Sequence, residues 1–191
     1  MIYVYAIGDP GADADAICHA GLAAFVRRGV ERPPAPDEAS LREHDSAVGA
    51  LMDTGAVLPM RFGTVVDTEE DVRELLARRG EELRGQLAHV RGRVEMGVRA
   101  AWEGGPIEAS SGGEFMRAKS ERRAKARRAA AELHEPLREL AVDSVLRLNP
   151  REDTLFDAAY LVEKDEADDF AGHVSGRATV TGPWPPYSFS G

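Results

Sequence analysis

Residues 2–7 form an unbroken apolar and aromatic run closed by Gly8-Asp9-Pro10-Gly11, which predicts a buried strand and a turn. Residues 17–30 fit two patterns: the alanines suit a helix, whereas 22–26 suits a strand. A proline-rich loop at 31–36 precedes a helix over 37–53, with Leu41, Val48, Leu51 and Met52 as its apolar stripe. Residues 56–66 alternate as a strand, with Leu58, Met60 and Phe62 on one face and Val57, Arg61 and Val65 on the other. Thr68 followed by Glu69, Glu70 and Asp71 opens the next helix. The hydroxyl caps backbone N–H groups, the acids complement the positive end of the dipole, and Val72, Leu75, Leu76, Leu83 and Leu87 supply the buried face.

The second half has a clearer rhythm. Val94, Met96, Val98 and Ala100 alternate with polar positions as a half-buried strand, and a polar loop runs to Gly113. A long helix begins near Glu114 and is expected to kink or end before Pro136. Residues 142–148 read as a strand, 149–153 as a turn, 154–164 as a central strand, 165–174 as a short helix and 177–181 as the last strand. From 90 to 181 the order is β-α-β-β-α-β, the split βαβ of ferredoxin-like domains. The fold class is therefore α+β with two small domains. Residues 1–89 form a modified α+β unit. Residues 90–191 form a ferredoxin-like domain carrying the long helix and an aromatic, proline-rich tail.

Charge and cysteine content narrow the functions. The chain of 191 residues carries a formal charge of −9, which argues against nucleic acid as a partner. The single cysteine, Cys18, excludes an internal disulfide framework. The N-terminus lacks the basic region of a signal peptide, and no apolar run approaches bilayer length, so a soluble intracellular protein with no membrane partner is expected. Chemistry is sparse. His19, His44, His89, His134 and His173 are scattered singly, which favours packing or surface roles over metal ligation. Cys18 and His19 are adjacent and point in different directions. Asp9, Asp13 and Asp15 lack the later glycine and glutamate of a calcium loop and read as a solvated turn. No glycine-rich phosphate loop or Gly-x-Ser-x-Gly turn is present, so no cofactor, no metal and no enzymatic step is expected.

Three features point instead to contacts between polypeptides. The tail Gly182-Pro183-Trp184-Pro185-Pro186-Tyr187-Ser188-Phe189 interleaves prolines with aromatics; it should run extended, and Trp184, Tyr187 and Phe189 should dock on the chain's own domain or on a partner. The run 117–128 is strongly basic, and Arg122, Arg123, Arg127 and Arg128 are either a solvated helix face or a contact for an acidic partner. Phe115, Met116, Ala126, Ala130, Leu133 and Leu137 form the thin apolar stripe beneath. Arg61, flanked by apolar residues, is a candidate buried charge needing a carboxylate or carbonyl partner, with a protein contact as the second reading. Gly63 beside it is expected to let a neighbouring backbone approach closely.

Val57-Leu58-Pro59-Met60-Arg61-Phe62-Gly63-Thr64 resembles the signature of the gas vesicle GvpL/GvpF family, as do Ala158-Ala159-Tyr160-Leu161-Val162 and the closing aromatic tail. The three occur in the family's order, with His44 at the expected distance upstream. The segment 8–43 and the loop 103–113 are shorter than the family pattern. The resemblance implies a non-enzymatic accessory or minor structural protein of the cytoplasmic gas vesicle, with ferredoxin-like elements. Its partners would be the small shell protein GvpA and other accessory proteins. Contact through an exposed sheet edge is an alternative to the tail. A ferredoxin-like pair sensing a small molecule is the alternative function, although no convergent polar cluster supports it.

Overall fold

The structure is a computed structural model and describes residues 1–11, 14–102, 109–148, 154–174, 176 and 178–190. The chain divides into two compact units, Met1–Arg93 with Trp184–Gly191, and Val94–Pro183. The tail, grouped by sequence with the C-terminal half, thus belongs with the first unit.

In the first unit, strands β1 (Ile2–Gly8), β2 (Ala16–His19), β3 (Leu22–Arg27), β4 (Val57–Pro59) and β5 (Val65–Val66) form one sheet in the order β2-β3-β1-β4, with β5 also paired to β1. The ambiguous stretch 17–30 is a hairpin. Ala20 and Gly21 both take positive φ, 49° and 78°, which closes a two-residue turn between His19 and Leu22. The alanines favoured a helix only as a local propensity; pairing with β1 buries Leu22, Ala23, Ala24 and Phe25 and decides the matter. Helix α1 (Glu38–Thr54) starts where expected, with the Asp37 carboxylate accepting from the Ser40 N–H at 2.8 Å. Its buried stripe is His44, Val48 and Leu51, while Leu41 is exposed. Thr68 and Asp71 form a full capping box on α2 (Glu69–Arg78), and a break at Arg79 separates it from α3 (Gly80–Val90). The acids near the N-terminus serve as ion-pair partners: Asp15 holds Arg28, and Asp9 holds Arg91 at 2.6 Å. Asp13 lies outside the described residues.

In the second unit, β6 (Arg93–Ala101), α4 (Gly112–Glu139), β7 (Asp143–Arg147), β8 (Thr154–Glu163), α5 (Ala167–His173) and β9 (Ala178–Trp184) follow the expected β-α-β-β-α-β order. The sheet order β7-β8-β6-β9 puts the second hairpin strand beside the first strand of the unit and the last strand outside it, as in ferredoxin-like domains. Strand β8 is central and carries the fully buried Tyr160, Leu161 and Val162. Helix α4 does not stop at Pro136. The missing N–H falls in its last turn, and burial of His134 and Leu137 on either side offsets the loss. The loop segment 103–108, the turn 149–153 and Arg177 lie outside the described residues.

Candidate interaction site

The expected strand over 56–66 is two short strands with a loop between them, and the register shows why. Ala6 pairs with Pro59 at one end of β1 and Tyr3 pairs with Val65 at the other, so 60–64 must bulge out of the sheet. Strand β1 has its own irregularity at Tyr5, where its pairing with β3 slips by one residue. The Met60 N–H donates to the Tyr5 carbonyl at 2.9 Å, and the Val4 N–H donates to the Thr64 carbonyl at 3.0 Å. Inside the loop the Thr64 N–H and hydroxyl both donate to the Arg61 carbonyl, at 3.1 and 2.7 Å. Gly63 sits at φ 84° with nothing within 4 Å of where a Cβ would stand. Its role is the left-handed conformation of the turn, not the close backbone approach expected from sequence.

A buried relay fastens this loop from behind. The Gly63 N–H donates to the Tyr3 hydroxyl at 3.3 Å, and Tyr3 donates to His44 Nδ1 at 2.8 Å. His44 Nε2–H then donates to the Met60 carbonyl at 3.0 Å. The Met60 carbonyl can only accept, which puts a proton on Nε2; in the neutral ring Nδ1 then accepts from Tyr3. Burial pushes the His44 pKa down, opposed by the hydrogen bond to Met60. Burial likewise raises the Tyr3 pKa, with the Gly63 N–H working against it. Phe62 packs edge-on against His44 and Tyr3 at centroid distances of 5.8 and 6.3 Å, and Tyr5 stacks on His44 at 5.8 Å. Arg27 lies over the Tyr3 ring at 5.4 Å and pairs with Glu43 of α1.

The C-terminal segment completes the assembly. Strand β9 carries the chain through the Gly182–Pro183 cis bond, and Tyr187–Phe189 then form one 3₁₀ turn in place of the extended run expected from sequence. The Ser190 hydroxyl donates to the Pro59 carbonyl at 3.3 Å, and Tyr187 donates to Asp45 at 3.3 Å with its ring 6.3 Å from His44. Pro185 and Pro186 are the buried residues of the tail. The prolines anchor the segment; Trp184, 50% exposed, faces outward, whereas Tyr187, 36% exposed, is held by Asp45 and His44. Phe189 is half-buried. Arg61 is exposed at the loop, with no ion pair among the described residues, and so is not a buried charge. The bulge removes it from the strand register that would have buried it. Arg61, Trp184, Tyr187 and Phe189 thus all belong to the first unit, whereas Arg122, Arg123, Arg127 and Arg128 lie on α4 of the second.

On α4 no residue before Ala126 is buried, and Phe115 and Met116 are 43% and 63% exposed. The second unit has its own buried pair, His134 Nδ1 and the Tyr160 hydroxyl at 2.7 Å. Burial pushes the His134 pKa down and the Tyr160 pKa well above its ordinary value. A groove of about 340 Å³ lies on this unit, lined by Leu133, Leu137, Phe156 and His173 among others. His173 there is engaged through Nδ1 with the Asp169 carbonyl at 2.7 Å. Among the described residues no cluster of His, Cys, Asp and Glu could hold a metal, and no helix is long and apolar enough to cross a membrane. The sequence reading set His44 upstream of the 57–64 motif but missed Tyr3, Asp45 and Ser190, which are brought to the same loop from positions far apart in the chain.

Fold and site together define a two-unit α+β protein whose signature loop is held by its own core and capped by its own C-terminus. Solved structures of the gas vesicle protein GvpF share that fold. The one from Anabaena sp. PCC7120 matches with a TM-score of 0.84 at 20% identity, over 100% of this chain and 95% of the other. The one from Microcystis aeruginosa matches with a TM-score of 0.80 at 18% identity, over 100% and 98%. Gas vesicle protein L of a Streptomyces strain is 30% identical over 186 residues, covering 78% of this chain and 68% of the relative. Gas vesicle protein F2 of Halobacterium salinarum is 26% identical over 184 residues, covering 91% and 78%. The family model for the gas vesicle synthesis proteins GvpL/GvpF matches residues 2–191, and the chain belongs to this family.

Proposed function

We propose that the chain is an accessory or minor structural protein of gas vesicle assembly that binds the small hydrophobic shell protein, GvpA, and other accessory proteins, without making or breaking covalent bonds. The observation that carries this reading is the tail. Two buried prolines fix it beside the signature loop, Tyr187 rests on α1 through Asp45, and Trp184 is left facing solvent. An aromatic held outward on an ordered backbone loses little conformational freedom when a partner covers it, which is the usual character of an interface anchor. Exposed Arg61 adds a cation to the same unit, and Arg122, Arg123, Arg127 and Arg128 supply a second contact region on α4.

The test is recovery of the shell protein on the immobilised full-length chain. Trp184→Ala and Arg61→Ala are expected to reduce recovery, Trp184→Ala by about tenfold or more if it anchors the interface. Both side chains are exposed, so thermal unfolding should change little. Undiminished recovery by both variants would remove the tail and the loop from the contact.

A further inference from the structure

Helix α4 is 28 residues long, about 42 Å at 1.5 Å per residue, and only its C-terminal half is covered. Ala126, Ala130, His134 and Leu137 are buried. The same face continues toward the N-terminus. Seven places before Ala126 stands Lys119, seven before Ala130 stands Arg123, fourteen before Ala130 stands Met116, and eleven before Ala126 stands Phe115. The stripe that packs on the sheet thus runs on as the exposed Phe115 and Met116, the half-buried Lys119 and the exposed Arg123.

The cations are unusually dense here. Elsewhere Arg27, Arg28, Arg42, Arg73, Arg79 and Arg138 each hold a carboxylate. Between 117 and 128 there are seven basic side chains and one acid, and none of the seven has an ion-pair partner among the described residues. Lys119–Arg123 and Arg123–Arg127 are like charges one helical turn apart, an arrangement that weakens a helix. The arrangement costs local stability in the free protein, and opposite charge supplied from outside would offset that cost. Nucleic acid is a poor occupant: the whole chain is at −9, and Phe115 and Met116 offer apolar area that phosphates do not use.

We propose that the exposed N-terminal half of α4 is a docking surface for an acidic amphipathic helix of another protein, with Phe115 and Met116 filling its apolar seam and Lys119, Arg122 and Arg123 meeting its carboxylates. The proposal rests on the reading of the chain as an adhesion protein and names the chemistry of one partner, on an element separate from the tail.

The probe is a labelled synthetic helix with leucines at helical spacing and glutamates between them, titrated with the full-length chain and followed by fluorescence anisotropy. Saturable binding that weakens as salt rises is expected. Reversing Arg122, Arg123, Arg127 and Arg128 to glutamate should lower affinity by about tenfold or more. Phe115→Ala with Met116→Ala, which leaves the core untouched, should lower it several-fold and more visibly at high salt. Trp184→Ala should bind the peptide as wild type, so loss of shell-protein recovery and loss of peptide binding report separate failures. The proposal is overturned if the peptide does not bind, or if a scrambled peptide of equal charge binds as well. It is also overturned if duplex DNA binds in preference, or if the chain self-associates through this face at low salt.

Discussion

His44 is kept neutral by burial, against the pull of the hydrogen bond that Nε2–H gives the Met60 carbonyl, and the Tyr3 hydroxyl stands in front of Nδ1. Removing either neighbour leaves a buried polar group unpaired, which costs more than one hydrogen bond contributes. Tyr3→Phe is expected to lower stability by about 1–2 kcal/mol, and His44→Ala by about 2–4 kcal/mol. Their double-mutant cycle should show coupling above about 0.5 kcal/mol in urea unfolding, because both act on the 60–64 loop. Additive losses would mean that the relay is not a unit. The pH dependence follows from the direction of the shifts. His44 and His134 are both held below the ordinary histidine value by burial, so the unfolded chain takes up protons first as pH falls. Their stabilising contribution is complete above about pH 6.5 and is lost as pH drops from there toward their lowered folded values. The urea midpoint should therefore fall between about pH 7.5 and pH 5.5, and His44→Gln should flatten that fall. Tyr3 and His44 stand 41 positions apart, and no periodicity links them. The residues alone offered His44 as one of five scattered histidines, and the family resemblance added its distance from the 57–64 motif but no partner for it.

Helix starts were legible because capping is a local interaction: Asp37 and Thr68 each bond a backbone N–H three residues on. The hairpin at 16–27 was not, because its alanines are compatible with a helix and only pairing with β1 excludes one. The interruption at 60–64 was also hidden. Apolar and polar positions keep alternating through it, and the loop exists only because β1 meets β4 and β5 in different registers. These readings make checkable statements about single turns. Gly63→Ala should destabilise by about 1–2 kcal/mol through backbone conformation alone, since φ is 84° and no atom crowds the site. Ala20→Asn should be neutral or stabilising by up to about 1 kcal/mol. The residue already sits at φ 49° before a glycine, the position where asparagine is favoured in a two-residue hairpin turn. Thermal unfolding of the two variants measures both.

Across the whole molecule the chain leaves the first unit at Arg93 and returns to it at Trp184. The β-α-β-β-α-β order of the second unit was readable because each element carries its own period, two for the strands and 3.6 for the helices. The return of the tail was not, because nothing local says which surface a proline-rich end will choose. That end was expected to dock its aromatics on its own domain or on a partner; its buried residues are Pro185 and Pro186, Phe189 is half-buried and Trp184 is exposed. Proline stiffness makes the prolines good anchors and leaves Trp184 available to a partner. The measurement that bears most directly on the proposed function is amide hydrogen exchange of the full-length chain with and without the shell protein. Slowed exchange at 60–64 and in the tail from 184 to 190, reduced in Trp184→Ala, is the result this account requires. Unaltered exchange throughout, or protection confined to segments away from the loop, the tail and α4, would contradict it.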